Sequence, residues 1–381
     1  MVERRVECIH VKNLVAFADE ASRGGDKWSV VPISRTRARA WACNPDAVPD
    51  DIVLIVGFVD ERCAGYLGLL PGRVLVNGQT ERVFWLSTFY VGPDSRKTGL
   101  AGMLLMRAIG LRLTLAACES SEEAQAVYRA LRFQELGPLP YSVIDFTKWN
   151  VLGIPLRMVR KALRKPGKRN SWLDFPIDVF CRVTKLVSFP FLLKQLGNDA
   201  RREWSEVSSL PDWPDHQSSR SEKCVFVRDS NTIRWMLEHH WVTTERAKDT
   251  PGYYFSDFRD TFEYRIFRSE TSNSHSECVL LWLTTRDRLR DIHILDCDLS
   301  SPGSAAAVAR LALEVARNER ADRVYLPAEF AEPLLNSRLF RRTLRMITRP
   351  YFIRVSSKDS RVSASLEEVE LHYCDGDVPF A

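Results

Sequence analysis

The feature that most constrains this chain is an order of elements that occurs twice, about two hundred residues apart. In the first copy, apolar runs at 52–59 and 63–70 flank the polar turn Asp60-Glu61-Arg62, as in a hairpin. Further runs at 73–77 and 82–91 flank Asn77-Gly78, a strong two-residue turn signal. The period then becomes helical, with Leu100, Met103, Leu104, Met106 and Ile109 following Gly99. A strand is expected at 112–118, a helix at 122–131 and a last strand at 141–146. The second copy reads as strands at 262–268, 278–285 and 291–297, an Ala-rich helix at 304–317, a strand at 323–326 and a short helix before Phe340. Strands at 350–355 and 366–373 close it. A period this long exceeds that of solenoid repeats and fits duplicated domains.

Between the copies, Lys148 to Lys194 holds eleven basic residues against Asp174 and Asp178, so the chain's net charge of +5 is concentrated there and the remainder is slightly acidic. Pro155, Pro166, Pro176 and Pro190 interrupt any long helix in that stretch and mark it as a connector. The expected division is therefore 1–147, a connector at 148–221, and 222–381. A net charge this small gives no argument for nucleic acid. The alternation of Leu152, Ile154, Leu156, Val159 and Leu163 with cations suits either a solvated helix pair or weak contact with an anionic membrane surface.

The longest apolar runs are strand-sized, well short of the ~20 residues that span a bilayer. The opening MVERRVECIHVKN lacks the apolar core of a secretory signal, so a cytosolic protein is expected. Nine scattered cysteines without a C-x-x-C pair read as reduced thiols. Only His239 and His240 are neighbouring histidines, and adjacent helical positions diverge, so no metal is expected.

Chemistry concentrates at the first strand-to-helix junction, from Phe89-Tyr90-Val91 through Pro93 to Gly99-Leu100-Ala101. Such a junction presents unpaired backbone N–H groups and the positive end of a helix dipole, which suit a phosphate or pyrophosphate. It is neither a Walker loop nor a dinucleotide fingerprint, since G-K-[ST] and G-x-G-x-x-G are both absent.

Arg96-Lys97-Thr98-Gly99-Leu100-Ala101 resembles the [QR]-x-x-G-x-[GA] loop of the GNAT superfamily of N-acetyltransferases. Downstream, Ala126-Val127-Tyr128-Arg129-Ala130-Leu131-Arg132-Phe133 is similar to the family's A-x-x-Y-x-x-x-G-F helix, with Arg132 in place of the glycine. The resemblance covers about residues 1 to 147. It implies an α+β, mixed αβ fold: two GNAT-like domains, each a mostly antiparallel splayed sheet flanked by helices, the second degenerate.

It further implies acetyl-CoA as cosubstrate. Its pyrophosphate would lie on the amides of Lys97, Thr98, Gly99, Leu100, Ala101 and Gly102, beside Arg96, and its pantetheine would pair with the edge at Phe89, Tyr90 and Val91. Ser121 stands where the family often has asparagine. Tyr128 matches the family's general acid, against the plainer reading of a core tyrosine. The middle of the fourth strand has no carboxylate, so Glu81 and Glu61 are the nearest candidate bases, each equally readable as a solvated turn charge, and a water chain is the alternative.

The second copy lacks the loop, and Asp296 and Asp298 stand where phosphates would sit. Arg228-Asp229, Ile233-Arg234-Trp235 and Asp375-Gly376-Asp377 resemble tandem GNAT-like proteins. Trp235, Trp241, Tyr253, Tyr254, Phe255 and Phe258 suit either a cleft wall or a core. The resulting expectation is an N-acetyltransferase acting on a small-molecule primary amine. An amino sugar or its nucleotide-linked form is the preferred acceptor, with peptide or protein amines open. The alternative is a non-catalytic GNAT-like binding or scaffold protein.

Overall fold

The structure is a computed structural model that describes residues 3–76, 78–118, 120–148, 193, 203–211, 224–270, 276–298, 304–335, 344–356, 369–372 and 375–376. The chain divides into two compact units. The first comprises Met1–Leu139, Leu210–Arg259 and Arg349–Ala381, the second Pro140–Ser209 and Asp260–Thr348. This division does not follow the boundaries expected at 147 and 221, because 222–259 and 349–381 group with the first unit. Most of the basic connector, with the membrane contact expected of it, lies outside the described residues. No helix among the described residues is long and apolar enough to cross a membrane.

In the first unit, β1 (Arg4–His10), β2 (Ile52–Val59), β3 (Arg62–Val76) and β4 (Gln79–Val91) form an antiparallel meander. Asp60 and Glu61 both take positive φ, 46° and 63°, which gives the β2–β3 hairpin a turn whose twist matches its strands. β5 (Leu115–Ala117) adds parallel to β4. Leu67 and Leu69 of β3 point to one face, where they pack with Leu100, Leu104 and Leu105 of α3 (Leu100–Gly110) and Tyr128 of α4 (Glu122–Ala130).

Gly68, between those leucines, faces the other way. A Cβ there would stand 2.5 Å from the ring of Trp41, so α1 (Val11–Ser22) and α2 (Arg35–Ala42) cover the opposite face. α5 (Ser230–Glu238), capped by the Asp229 carboxylate on the Thr232 amide, joins them there, its Trp235 indole donating to the Ala40 carbonyl at 2.8 Å.

α2 shows no helical signature in sequence because its inward face carries a cation. Arg37 is buried against Asp257, with its Nη2 at 3.1 Å from Oδ1, and the Ser34 hydroxyl donates to the same carboxylate. Burial pushes the Asp257 carboxyl upward, and Arg37 opposes that shift.

The second unit repeats the meander in β9 (Thr261–Glu270), β10 (Ser276–Arg286) and β11 (Leu289–Asp298), with β7 (Ser205–Val207) on the outside of β9. β12 (Arg323–Pro327) adds parallel to β11. Val308, Leu311, Ala312 and Val315 of α6 (Ser304–Asn318) form a buried helical stripe, packed with Phe330 and Leu334 of α7 (Ala328–Leu335) on the sheet.

Each unit is completed by a strand from the other half of the sequence. β6 (Gln134–Asp145) begins in the first unit, but Tyr141–Asp145 pairs with β12 in the second. β13 (Leu344–Arg354) begins in the second, but Phe352–Arg354 pairs with β5 in the first. The strands expected to close each copy are therefore exchanged. β8 (Cys224–Phe226) and β14 (Val369–Glu370) extend the first unit beside β3, and of the strand expected at 366–373 only 369–370 is described as strand.

Residues 1–147 alone therefore lack part of their own core. Expressed as a fragment, they are expected to show no cooperative melting transition by circular dichroism. In the full chain, Phe352→Ala is expected to cost about 3–5 kcal/mol in denaturant titration, as for other fully buried aromatics.

Candidate functional site

The site begins where β4 and β5 part. They pair only at Phe84↔Leu115 and Trp85↔Ala116, so from Leu86 to Val91 β4 keeps β3 on one side and has no described strand on the other. Backbone N–H and C=O groups on such an edge need a partner. Within this stretch Ser87 opposes Gly68 and Tyr90 opposes Tyr66, leaving Thr88 and Phe89 opposite Leu67 alone. That is a β-bulge, and Thr88 takes φ +53°, a left-handed value that a threonine adopts only under constraint. Phe89, Tyr90 and Val91 thus lie on a bent, open strand edge.

The edge leads into Gly92, a 3-10 turn at Pro93–Thr98 holding Arg96, Lys97 and Thr98, and then Gly99 at φ +80°, which reverses the chain into α3. A residue with a Cβ would be strained there. α3 is seated by Leu100, whose buried side chain fills a hollow on the sheet: a Cβ on Gly57 would lie 2.6 Å from its Cδ1. Leu100 can therefore offer a ligand only its backbone. The first-turn amides of Leu100, Ala101 and Gly102 precede the first intrahelical bond, Met103 N–H to Gly99 C=O at 3.2 Å. Arg4 donates to the Thr98 carbonyl and its Nη1 would be 3.3 Å from a Gly99 Cβ, adding a third cation to Arg96 and Lys97. The arrangement is a helix N-terminus approached by Arg4 and preceded by Arg96 and Lys97, at the end of a strand edge with no described strand beside it, where the Arg96 Nε donates to the Val91 carbonyl at 3.5 Å. It can hold a di-anionic group with an extended, amide-bearing tail.

The remaining expected residues divide. Ser121 caps α4, accepting from the Ala124 amide at 3.3 Å. The neighbouring Glu123 carboxyl is held below its usual range by its own amide, by Ser121 and, more weakly, by Arg96. Tyr128 is buried against Phe133 and Phe352, with centroids at 5.1 and 5.6 Å, in the cluster that also contains Val91, Leu100 and Ala117. Glu81 is not brought to the site. It precedes Phe84 and Trp85, on the far side of the parting, ten residues and roughly 33 Å of strand from Val91. Glu61 sits in the hairpin turn, bonded to Arg5 at 2.9 Å, which lowers its pKa.

Among solved structures, the chain is similar to a GCN5-related N-acetyltransferase from Anabaena variabilis ATCC 29413, with a TM-score of 0.50 and 11% identity over 93% of this chain and 74% of that one. It is equally similar to a conserved protein of unknown function from Enterococcus faecalis V583, described as a probable N-acyltransferase, with a TM-score of 0.50 and 10% identity over 95% of this chain and 74% of that one. The chain has the GNAT fold. No family model and no curated protein matches the sequence.

Within this GNAT fold, sequence reasoning missed what lies at the parting itself. The last described residues reach it: a Cβ on Gly376 would be 2.7 Å from Cys118 Sγ, just beyond β5, and 3.2 Å from the ring of Trp85, where the β4–β5 pairing ends. The segment is anchored by Arg228, 3.8 Å from the buried Asp375 carboxylate, and by the Tyr351 hydroxyl donating to the His372 carbonyl at 3.2 Å. The Arg228 and Asp375 motifs, 147 positions apart, were visible in sequence, but their pairing was not. The aromatic residues of 235–258 likewise belong to the first unit. Trp235, Trp241 and Tyr253 are buried, Phe255 and Phe258 half-buried, and Tyr254 exposed.

The second unit carries the same parallel pair and helix, but its helix start is filled from within. The buried Glu277 carboxylate of β10 accepts from the Ser304 hydroxyl, at the first residue of α6, at 2.7 Å. Asp296 is buried on β11, while residues 299–303 lie outside the described residues.

Asp375→Ala removes the carboxylate facing a buried guanidinium and is expected to destabilise the chain by about 3–5 kcal/mol. Chemical denaturation measures this, and a loss below about 1 kcal/mol would show that the anchor lies elsewhere.

Proposed function

We propose that the first unit is an acyl-CoA-dependent N-acyltransferase, most simply an N-acetyltransferase using acetyl-CoA and a primary amine. The observation that carries this reading is the junction of a β4 edge that has no described strand beside it after Trp85 with a left-handed Gly99 and a helix start preceded by Arg96 and Lys97 and approached by Arg4. In this reading the amides of Lys97 to Gly102, with Arg96 beside them, hold the pyrophosphate, and Phe89, Tyr90 and Val91 offer backbone partners to the pantetheine. When bound, acetyl-CoA supplies the activated acyl group. Tyr128, in the same cluster as both walls of the parting, gives its phenolic proton to the departing thiolate. The acceptor ammonium must lose a proton before attack, and Glu81 is too far along β4 to take it directly, so water relays it. Amino sugars are the first acceptors to assay.

The alternative, a non-catalytic GNAT-like binding or scaffold protein, is favoured by one observation: neither Glu81 nor Glu61 reaches the parting. It calls for binding without turnover.

Calorimetric titration is expected to give one acetyl-CoA per chain, because Glu277 already fills the second helix start. Gly99→Val is expected to weaken binding about tenfold or more, through the cost of a left-handed β-branched residue. Two sites per chain, or unchanged affinity in Gly99→Val, would refute the assignment.

Tyr128→Phe is expected to keep the acetyl-CoA affinity and to slow acyl transfer by ~10²- to 10⁴-fold, the usual effect of losing a general acid. Full turnover in this variant, measured as thiol release, would return Tyr128 to a packing role.

A further inference from the structure

On the α1–α2 face of the open β4 edge stands a set of aromatic rings that the pyrophosphate and thiolate roles do not use. Tyr66 opposes Tyr90 across β3 and β4, with centroids at 5.7 Å. Tyr66 stacks on Tyr253 at 6.1 Å, and Tyr90 stacks on Tyr254 at 4.3 Å with planes 23° apart. Phe255 meets Tyr90 and Tyr254 edge-on, at 6.5 and 5.1 Å.

Core packing accounts for the inner members of this set, Tyr66 and Tyr253, which are buried. It does not account for Tyr254, which is 62% exposed and is the one aromatic among the five large apolar side chains left exposed in the described residues. That ring is held against Tyr90, which sits on the strand edge where the bulge bends it, two residues beyond the left-handed Thr88.

The inner ring of Tyr253, with the buried Trp241, already holds a cation. The Arg37 guanidinium lies 4.8 Å from the Trp241 centroid and 5.6 Å from that of Tyr253, its charge matched by Asp257. Tyr254, stacked on Tyr90 by one face and 62% exposed, presents an aromatic surface of the same kind to solvent, and aromatic faces attract organic ammonium groups.

We propose that Tyr90, Tyr254 and Phe255 form the wall that holds the acceptor, and that the acceptor is an organic cation recognised through its positive charge on the ring faces. The proposal rests on the acyltransferase reading for the word acceptor. The wall itself rests on the ring geometry alone. Held there, the ammonium group lies against the exposed Tyr254 ring, which stacks on Tyr90 beside the strand edge assigned to the acyl carrier. Tyr254 then sets specificity by direct contact with the acceptor, through its ring and not its hydroxyl.

The test uses the full chain and an isosteric pair, choline and 3,3-dimethylbutan-1-ol, which differ in charge and cannot be N-acylated. Titration followed by NMR or calorimetry is expected to show choline bound about 3- to 30-fold more tightly than its neutral isostere, the range for cation–π contacts. Tyr254→Ala should abolish that preference and Tyr254→Phe should keep it. Because the side chain is exposed, both variants should melt as the wild type does.

Equal affinity for the pair, no binding of choline at millimolar concentration, a preference unchanged in Tyr254→Ala, or one lost in Tyr254→Phe would each overturn the proposal. Acetyl-CoA titrated separately distinguishes the two readings. A chain that prefers choline but ignores acetyl-CoA keeps the wall and loses the acyltransferase assignment, and the reverse result does the opposite.

Discussion

The short reach of one parallel strand pair governs the site. Had β5 continued alongside β4 beyond Trp85 and Ala116, a strand would cover the edge at 86–91 and no ligand could pair with it. Two features hold the strands apart. The bulge at Thr88 bends β4, and α3, seated through Leu100 in the hollow over Gly57, follows β4 after one 3-10 turn. The chain thereby leaves its most reactive backbone surface next to a helix start, two features that a sheet and a helix ordinarily cover separately.

The second unit shows what the same architecture becomes when that surface is filled. β11 and β12 pair at three positions before they part, and the buried Glu277 occupies the start of α6 with the Ser304 hydroxyl. A buried carboxylate at a helix N-terminus gains from the dipole and from the hydroxyl bond, whereas an incoming phosphate would have to displace it and then meet its charge. The contrast between Gly99 with Arg4, Arg96 and Lys97 in one unit and Glu277 in the other is electrostatic at root. It needs no difference in topology.

Much of this was legible in sequence where period and turn chemistry act locally. The β2–β3 and β3–β4 turns, α3, α4, β10, β11 and α6 lie within a few residues of their expected places. What stayed hidden depends on distant partners. α2 conceals its inward face because Arg37 is buried by Asp257, 220 residues away. Glu81 looks close to the loop in a linear reading, but only the register with β5 shows that the pairing at Trp85 stands between them. The aromatics of 235–258 follow the connector in sequence, so they read as the second domain, although the chain returns through them to the first unit. The 3-10 turn around Arg96 to Thr98 was read as a loop, since six residues show no period to distinguish the two.

The exchanged strand β13 must hold against the entropy of closing a very long loop, since Phe352 pairs with Ala117 across 235 residues. A flexible loop of that length costs roughly 5 kcal/mol by logarithmic scaling. Tyr351, Phe352 and Ile353 are all essentially fully buried, and at roughly 1.5–3 kcal/mol each their burial contributes about 5–9 kcal/mol, enough to offset closure but with little to spare. Folding of the second unit between those positions shortens the effective loop and lowers its cost. The second unit therefore has a physical use apart from any ligand: when folded, it lowers the closure cost of the strand against which Tyr128 packs.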